Sequence, residues 1–410
     1  MRNRPTVHVP MLMILAVATL LAIVPPDQSR GPLGTEQSWA WTDRTEPVAP
    51  PAAAGTLLAY DSHADRFVFF GGWNGSTLNQ TWEYDPTNST WVQLHPPVSP
   101  VSRADATFVY DSTADRFLLF GGWTQAPGGA VHRLGDTWTF SLTLDQWTAL
   151  RPAKAPSPRS DSAAAYDPAA GDLFLYGGFS GSDYLGDAWV FNSSSSTWSA
   201  LPQVGPTPGV RSDGRMIFVP SADEFVLFGG NDYSGPNLTF HHLNDTWLFR
   251  LATDQWTPLT PAGSPPARDY AVEGFDPSLG IVLLFSGYGN RTILDDTWAF
   301  SPSNGSWTSL ATAPAPPGRY AGVGAFDTVD GLFLIMGGLG DSGLLNDTWT
   351  LAPEFAGLSP PPSGATPSES GWIVAGAFVG TGAVLAVVAA RVLAVSREPP
   401  RKLRGDSGTK

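Results

Sequence analysis

Residues 71–84 read GGWNGSTLNQTWEY, and a near-copy, GGLGDSGLLNDTWTL, stands at 337–351. The same spelling returns between them at a near-constant step. Gly pairs occur at Gly71-Gly72, Gly121-Gly122, Gly177-Gly178, Gly229-Gly230 and Gly337-Gly338, with Ser286-Gly287 in the remaining place. Each leads to a tryptophan, at Trp82, Trp138, Trp189, Trp247, Trp298 and Trp349. In the first five copies a second follows, at Trp91, Trp147, Trp198, Trp256 and Trp307. Steps of 50 to 58 residues describe an array of one supersecondary unit, not a single irregular core.

The unit reads as four short strands. An alternating segment ends in Tyr/Phe-Asp (TLLAYD, TFVYD), a turn such as SHAD or STAD follows, and an apolar run such as RFVFF or RFLLF stops at the Gly pair. A variable polar loop then leads to TWEYD, TWTFS or AWVFN, where Trp and the aromatic residue two places on share one face of a strand. A tight turn gives the last strand, W-x-x-L. No useful 3.6-residue apolar stripe occurs in the repeats, so the expected class is all-β.

These residues resemble the kelch repeat, whose units are blades of a β-propeller. The resemblance covers residues 39–352, and Gly-Gly, both Trp positions and the Leu-x-Asp-Thr-Trp approach recur together. Close backbone approach and unusual dihedrals account for the glycines. The sixth repeat has its third strand at Thr348–Leu351 but no W-x-x-L after it. From fourth-strand Trp to the next Tyr/Phe-Asp is 19 residues for Trp91, Trp147, Trp256 and Trp307, and also 19 from Trp41 to Tyr60. Trp41 therefore belongs to the last blade, and residues 39–43 are expected to supply its outermost strand, giving six blades with no raw edge.

The chain has 410 residues, a net charge of −14 and no cysteine. Twelve of its 16 tryptophans occupy repeat positions, which assigns the aromatic content to packing between blades. One lysine, Lys154, lies between the two apolar segments, so nucleic acid is not an expected partner.

Those apolar segments bracket the repeats. Arg2 and Arg4 precede MLMILAVATLLAIV at 11–24, within a 1–30 signal peptide or N-terminal signal anchor. Trp372–Ala390 gives 19 uncharged residues, enough for a membrane-crossing helix, and the expected span is 371–391. The basic tail 392–410 places the C-terminus in the cytoplasm and the propeller outside a cell membrane. Residues 353–370 make a Pro/Ser/Gly-rich stalk. Gly376 and Gly380 form a G-x-x-x-G pattern that would support weak self-association of the span. Nine of 11 asparagines begin N-x-S/T. Asn74, Asn79, Asn88, Asn192, Asn237, Asn290 and Asn304 are expected glycan acceptors; Asn244 and Asn346 read as parts of the N-D-T-W strand.

Loops before the first strand and after the second share one blade end, so that end gathers candidate binding residues. Five arginines stand seven residues before the Tyr/Phe: Arg103, Arg159, Arg211, Arg268 and Arg319. The kelch resemblance implies that such arginines reach acidic ligand groups as an anion-reading ring. The alternative is internal pairing with Asp136, Asp187, Asp245, Asp296 and Asp347, because the first repeat has Ala53 and Gln80 and so loses both partners together. Further candidates are Trp73, Trp123, Phe179 and Tyr288 after the glycines, and His132, Tyr233, His241 and His242 in the two longest loops, which differ among repeats as binding loops do. Spacing fixes no third ligand beside the histidines, so no metal site and no cofactor is expected.

Three functional classes follow: a surface-anchored module binding an extracellular protein or glycan, a sialate mutarotase-like enzyme, and a structural envelope component. The resemblance also implies galactose oxidase chemistry, which requires a Cys–Tyr crosslink and so fails without cysteine. The binding module is the expected function.

Overall fold

The computed structural model describes residues 38–234 and 239–354. The signal segment, the span 371–391, the tail, nearly all of the stalk and Asn237 lie outside the described residues. Among the described residues no helix is long and apolar enough to cross a membrane.

Six four-stranded antiparallel sheets make up the domain. Blade 1 comprises Leu57–Asp61, Arg66–Phe70, Thr81–Asp85 and Thr90–Leu94; blade 2 comprises Thr107–Asp111, Arg116–Phe120, Thr137–Ser141 and Gln146–Leu150. In blades 3 and 4 the middle strands run long: Ala163–Asp167, Asp172–Phe179, Tyr184–Asn192 and Thr197–Leu201, then Arg215–Val219, Glu224–Ser234, Thr239–Arg250 and Gln255–Leu259. Blade 5 comprises Val272–Asp276, Ile281–Phe285, Thr297–Ser301 and Ser306–Leu310. In blade 6, Val323–Asp327, Leu332–Met336 and Thr348–Glu354 are joined by Ser38–Asp43. That last strand pairs antiparallel with Thr348–Glu354, setting Trp41 opposite Leu351 and Asp43 opposite Trp349. The innermost strands neighbour one another in a cycle, with Leu57–Asp61 touching both Thr107–Asp111 and Val323–Asp327. Ring closure is therefore made twice, by inner-strand contact and by hydrogen bonding between Ser38–Asp43 and Thr348–Glu354.

Burial explains the apolar second strands. RFVFF and RFLLF are buried on both faces after the first residue, because each blade is covered by neighbours on two sides. Outermost tryptophans wedge against the preceding blade: Trp147 lies 4.7 Å from Phe70, Trp198 5.0 Å from Phe120, and Trp307 4.9 Å from Phe228. Their indole N–H groups donate to a buried threonine of that blade, Trp147 to Thr81 and Trp307 to Thr246 at 3.1 Å, Trp198 to Thr137 at 3.0 Å. Trp91 and Trp41 do the same with Thr348 and Thr297.

Trp256 is the exception, its Nε1 buried without a partner. The sequence shows why, since blade 3 has Ala188 in the place of that threonine (GDAWVF). A Trp edge tolerates burial poorly when its N–H stays unpaired. Ala188→Thr is expected to stabilise the propeller by about 1 kcal/mol, measured by urea unfolding; no gain would mean that the blade 3–4 seam lacks room for the hydroxyl.

Gly121 and Gly122 show what the Gly pair does. Gly121 holds φ +69°, and a Cβ there would lie 2.5 Å from the Arg159 carbonyl oxygen. Gly122 N donates to that same oxygen at 2.8 Å. The pair thus turns the chain where one blade is stitched to the next, and no side chain fits at the stitch.

Candidate functional site

The five arginines lie inside the protein, each no more than 1% exposed. Arg103 donates through Nη1 and Nη2 to the two oxygens of Asp136 (2.8 and 2.9 Å), through Nη1 to Gly121 O (2.8 Å) and through Nε to Val101 O (3.0 Å). The fork repeats at Arg159–Asp187, Arg211–Asp245, Arg268–Asp296 and Arg319–Asp347. Each aspartate also accepts from the indole two residues on, as Asp136 does from Trp138 at 2.7 Å. Burial works against ionisation of Asp136, Asp187 and Asp296, but the guanidinium and indole bonds outweigh it and hold these carboxyls below their ordinary range. An anion-reading ring is therefore corrected to an internal clamp: each fork's Nη groups are spent on aspartate and backbone, and the Arg211 Nε that lacks a partner is itself buried. In blade 1, where the pair is lost, Trp82 donates to Gln80 instead.

The charged groups at the axis are Asp105, Asp161, Asp213 and Arg215. Gly55, Asp105, Asp161, Asp213, Tyr270 and Ala321, one from each blade-to-blade passage, all adopt left-handed φ between 51° and 62°. Asp105 N donates to Gly55 O, Asp161 N to Asp105 O and Asp213 N to Asp161 O, each at 2.9 Å; Tyr270 N donates to Asp213 O and Gly55 N to Ala321 O. This head-to-tail circlet, with five of its six links hydrogen-bonded, lines a cavity of about 50 Å³ on the axis. Aspartate tolerates the left-handed region better than most residues, and here it brings three carboxyls to one place. Asn231 Nδ2 bridges Asp213 Oδ2 and Asp269 Oδ2, at 2.8 Å each, adding a fourth. Asp105 Oδ2 accepts from Trp123 at 2.7 Å. Asp161 Oδ1 and Asp269 Oδ1 have no partner. Crowding is evident in their acidities: burial, then neighbouring Asp213, pushes Asp269 up to about 7, burial and Asp213 raise Asp105 to about 6, and burial with Asp213 and Asp105 raises Asp161 well above its usual range.

Around this acidic circlet runs a chain of rings. Centroids step from Phe179 to Tyr184 (5.2 Å), Tyr233 (5.7 Å), Phe240 (5.6 Å), His242 (4.9 Å), Tyr288 (5.6 Å), Tyr320 (5.4 Å) and back to Tyr270 at the axis (6.1 Å). It crosses four blades. Tyr233 and Phe240, opposite one another on the blade 4 ribbon, are 49% and 42% exposed. Tyr184 feels the circlet, its hydroxyl pushed up to about 12 by burial and then by Asp213.

The KLHDC2/KLHL20/DRC7 Kelch-repeats domain matches residues 62–275, more than half of the chain. The protein belongs to the kelch-repeat family. Tip elongation aberrant protein 1 of Schizosaccharomyces pombe is 28% identical over 240 residues, 54% of this chain and 20% of that protein. Multiple epidermal growth factor-like domains protein 8 of Homo sapiens is 31% identical over 145 residues (33% and 5%), and Mei4-dependent protein 6 of S. pombe 27% over 169 residues (38% and 24%). The kelch chain spans less than a quarter of the length of each of these relatives.

The remaining predicted residues divide. Trp73, Trp123, Phe179 and Tyr288 are half-buried and each pairs through its backbone with the residue after the arginine position, as Trp123 does with Ala104. They shape the kelch mouth, and Phe179 and Tyr288 join the ring chain. His132 is exposed on the blade 2 loop. His241 and His242 point apart, as neighbours on a strand must: His241 Nδ1 lies 3.1 Å from Asp232 Oδ1 and His242 Nδ1 3.1 Å from Asp269 Oδ2. Among the described residues, the acids and histidine that do converge as metal ligands would are Asp61, His63 and Asp115, at the opposite end. Of the sequons, Asn74, Asn79, Asn88, Asn290 and Asn304 are exposed, whereas Asn192 is half-buried with its Nδ2 donating to Asp172.

Sequence reasoning missed Asp105, Asp161, Asp213 and Asp269, although Arg-x-Asp recurs at 103–105, 159–161 and 211–213. It also missed the channel behind the circlet, a space of about 440 Å³ between the inner strands whose charged lining residues are Arg215 and Glu273. Burial pushes Glu273 up to about 8, against the pull of Arg215. A carboxyl whose folded-state pKa exceeds its unfolded value takes up a proton on folding, so its contribution is full at low pH and fades as pH rises. Stability should thus fall between about pH 5 and pH 8, the window set by Asp105, Asp269 and Glu273. Glu273→Gln is expected to flatten that slope and exceed wild type at pH 8. Equal melting slopes for the two proteins would refute the assignment.

Proposed function

We propose that this kelch propeller is a non-catalytic binding module that takes a protein partner on its loop face. The carrying observation is the exposed Tyr233–Phe240 pair on a ribbon that continues into a ring chain around the axis. Aromatic side chains supply large contact area at low entropic cost, and the variable loops sit on a closed scaffold. Family membership favours a protein over a glycan. Placement outside a cell membrane, held by a C-terminal span, belongs to the same proposal and rests on the apolar runs at 11–24 and 372–390. An epitope placed after Lys410 should be shielded from antibody on intact cells.

The test is selection of displayed peptides on the full chain, followed by Tyr233→Ala/Phe240→Ala. A loss of about tenfold or more is expected for a contact of this kind. Val329→Ala, an exposed residue at the opposite turn end, should leave binding unchanged. Equal losses from both changes, or none from the first, would remove the loop face from consideration.

A further inference from the structure

We propose that blades 1 and 2, at the turn end opposite the loop face, bind one divalent transition-metal ion of the zinc class through the carboxylates of Asp61 and Asp115 and the imidazole of His63. The site stands apart from partner binding and is tested apart from it.

Geometry is the first ground. One ligand atom from each of the three residues lies within 4.8 Å of the other two, and His63 Nδ1 and Asp115 Oδ1 are 3.7 Å apart. Ligand atoms about 2 Å from a tetrahedral ion stand about 3.3 Å from one another, so small rotations of the exposed His63 and Asp115 side chains close the set onto Asp61. Asp61 itself is fixed: it is 2% exposed, and its Oδ1 accepts from the backbone N–H groups of His63 and Ala64 at 2.9 Å each.

Uncompensated charge is the second, independent ground. The corners at 61–66 and 111–116 read DSHADR and DSTADR, alike but for His63 and Thr113. Their buried aspartates nevertheless keep different company. In blade 2, Arg116 Nε donates to Asp111 Oδ2 at 3.0 Å, and Ser193 Oγ donates to the same oxygen. In blade 1 the matching Arg66 turns away, to Asp85 Oδ2 at 2.8 Å and to the Asp65 carbonyl at 2.7 Å. Asp61 is left a buried carboxylate with no Lys or Arg partner among the described residues. The Tyr110 hydroxyl lies within reach of both acids, and its one proton goes to Asp115 Oδ1 at 2.8 Å. A buried charge left without a counter-charge costs free energy that a bound cation recovers.

Residue type selects the ion. Two carboxylates and a neutral imidazole carry the two negative charges that a dication balances, and imidazole suits zinc and its first-row neighbours, whereas calcium and magnesium take oxygen sets. His63 Nδ1 faces the Tyr110 oxygen at 2.7 Å; on binding, the ring proton sits on Nε2 and leaves Nδ1 to the metal. The next seam lacks the set, because Thr113 and Gly171 stand where blades 1 and 2 have His63 and Asp115. A Cβ on Gly171 would lie 3.6 Å from Thr113 Oγ1, so the two places face each other there as well.

The experiment titrates the chelator-treated full chain with Zn²⁺ and with Mg²⁺ by calorimetry, and follows melting at each ion concentration. One Zn²⁺ per chain with Kd on the order of 10 μM is expected, with Mg²⁺ weaker by about a hundredfold or more and a melting temperature that rises as Zn²⁺ exceeds its Kd. His63→Thr and Asp115→Gly install the residues that the next seam carries at the matching places, so the corners keep their fold. Each should weaken Zn²⁺ by about tenfold or more and remove its effect on melting. His132→Thr, at an exposed position on the blade 2 loop of the other end, should bind as wild type does. Absence of saturation, wild-type affinity in His63→Thr, equal weakening by His132→Thr, or Mg²⁺ binding as tightly as Zn²⁺ overturns the proposal.

Discussion

Arg319→Met should lower the unfolding free energy of the propeller by about 3 kcal/mol or more, and Arg319→Met combined with Asp347→Asn should recover part of that loss. Arg319 is fully buried, and its Nη1 and Nη2 meet Asp347 at 2.8 Å each while Nη1 also reaches Gly337 O at 3.0 Å. Of the five clamps this one has the least exposed aspartate, 19% against 30–45% for the others. Methionine keeps the apolar stem but strands a carboxylate and a carbonyl in partly desolvated positions. Deleting one partner of a buried pair costs more than deleting both, because the survivor's desolvation goes uncompensated. The measurement is a double-mutant cycle by denaturant unfolding. Additive single changes would mean that Arg319 and Asp347 do not act as a unit, and unchanged stability would return Arg319 to the list of residues available for ligand.

The clamps mark the boundary of what sequence could say. Repeat period, strand order and Trp41's place beside the sixth sheet were legible because each follows from spacing, and spacing in a repeat array is nearly geometry. Arg–Asp co-occurrence was legible too, since the first repeat has Ala53 and Gln80 where the others have Arg and Asp. Direction was not. Whether Arg103 faces solvent or Asp136 depends on a backbone turn that carries its head inward, and the residue two places on, Asp105, takes the axial position instead. Seven residues from arginine to aromatic does not encode that handedness; the left-handed φ of Asp105, Asp161 and Asp213 does. Arg215 and Glu273 were hidden for a related reason. They sit on inner strands that read as apolar alternation, and only closure of the ring turns one face of those strands into a channel wall.

The mouth therefore does not display the arginine ring that spacing suggested. Arginines fasten the second and third strands of blades 2 to 6 to their leading loops, and three aspartates with Arg215 stand at the axis. Five arginines are thus committed to geometry, while Arg215 stays beside the three aspartates at the axis.

Closure at the chain ends carries the second large effect. A chain beginning at Arg44 should lose cooperative unfolding and aggregate, because Thr348–Glu354 would keep six unpaired positions along a bare edge. The tryptophan on the missing strand matters as much as its hydrogen bonds. Trp41 is 3% exposed, 5.0 Å from Phe285 and 6.1 Å from Phe333, with its indole donating to Thr297 at 3.4 Å. Trp41→Ala alone should cost about 3–5 kcal/mol, since it empties the seam between blades 5 and 6 while leaving the backbone ladder intact. A peptide of residues 38–46 added in trans to the shortened chain should restore solubility and the melting transition, as strand addition to an open sheet edge does; the same peptide with Trp41→Ala should not. If the shortened chain melts where the full chain does, the sixth blade is complete with three strands and the ends do not hold the ring.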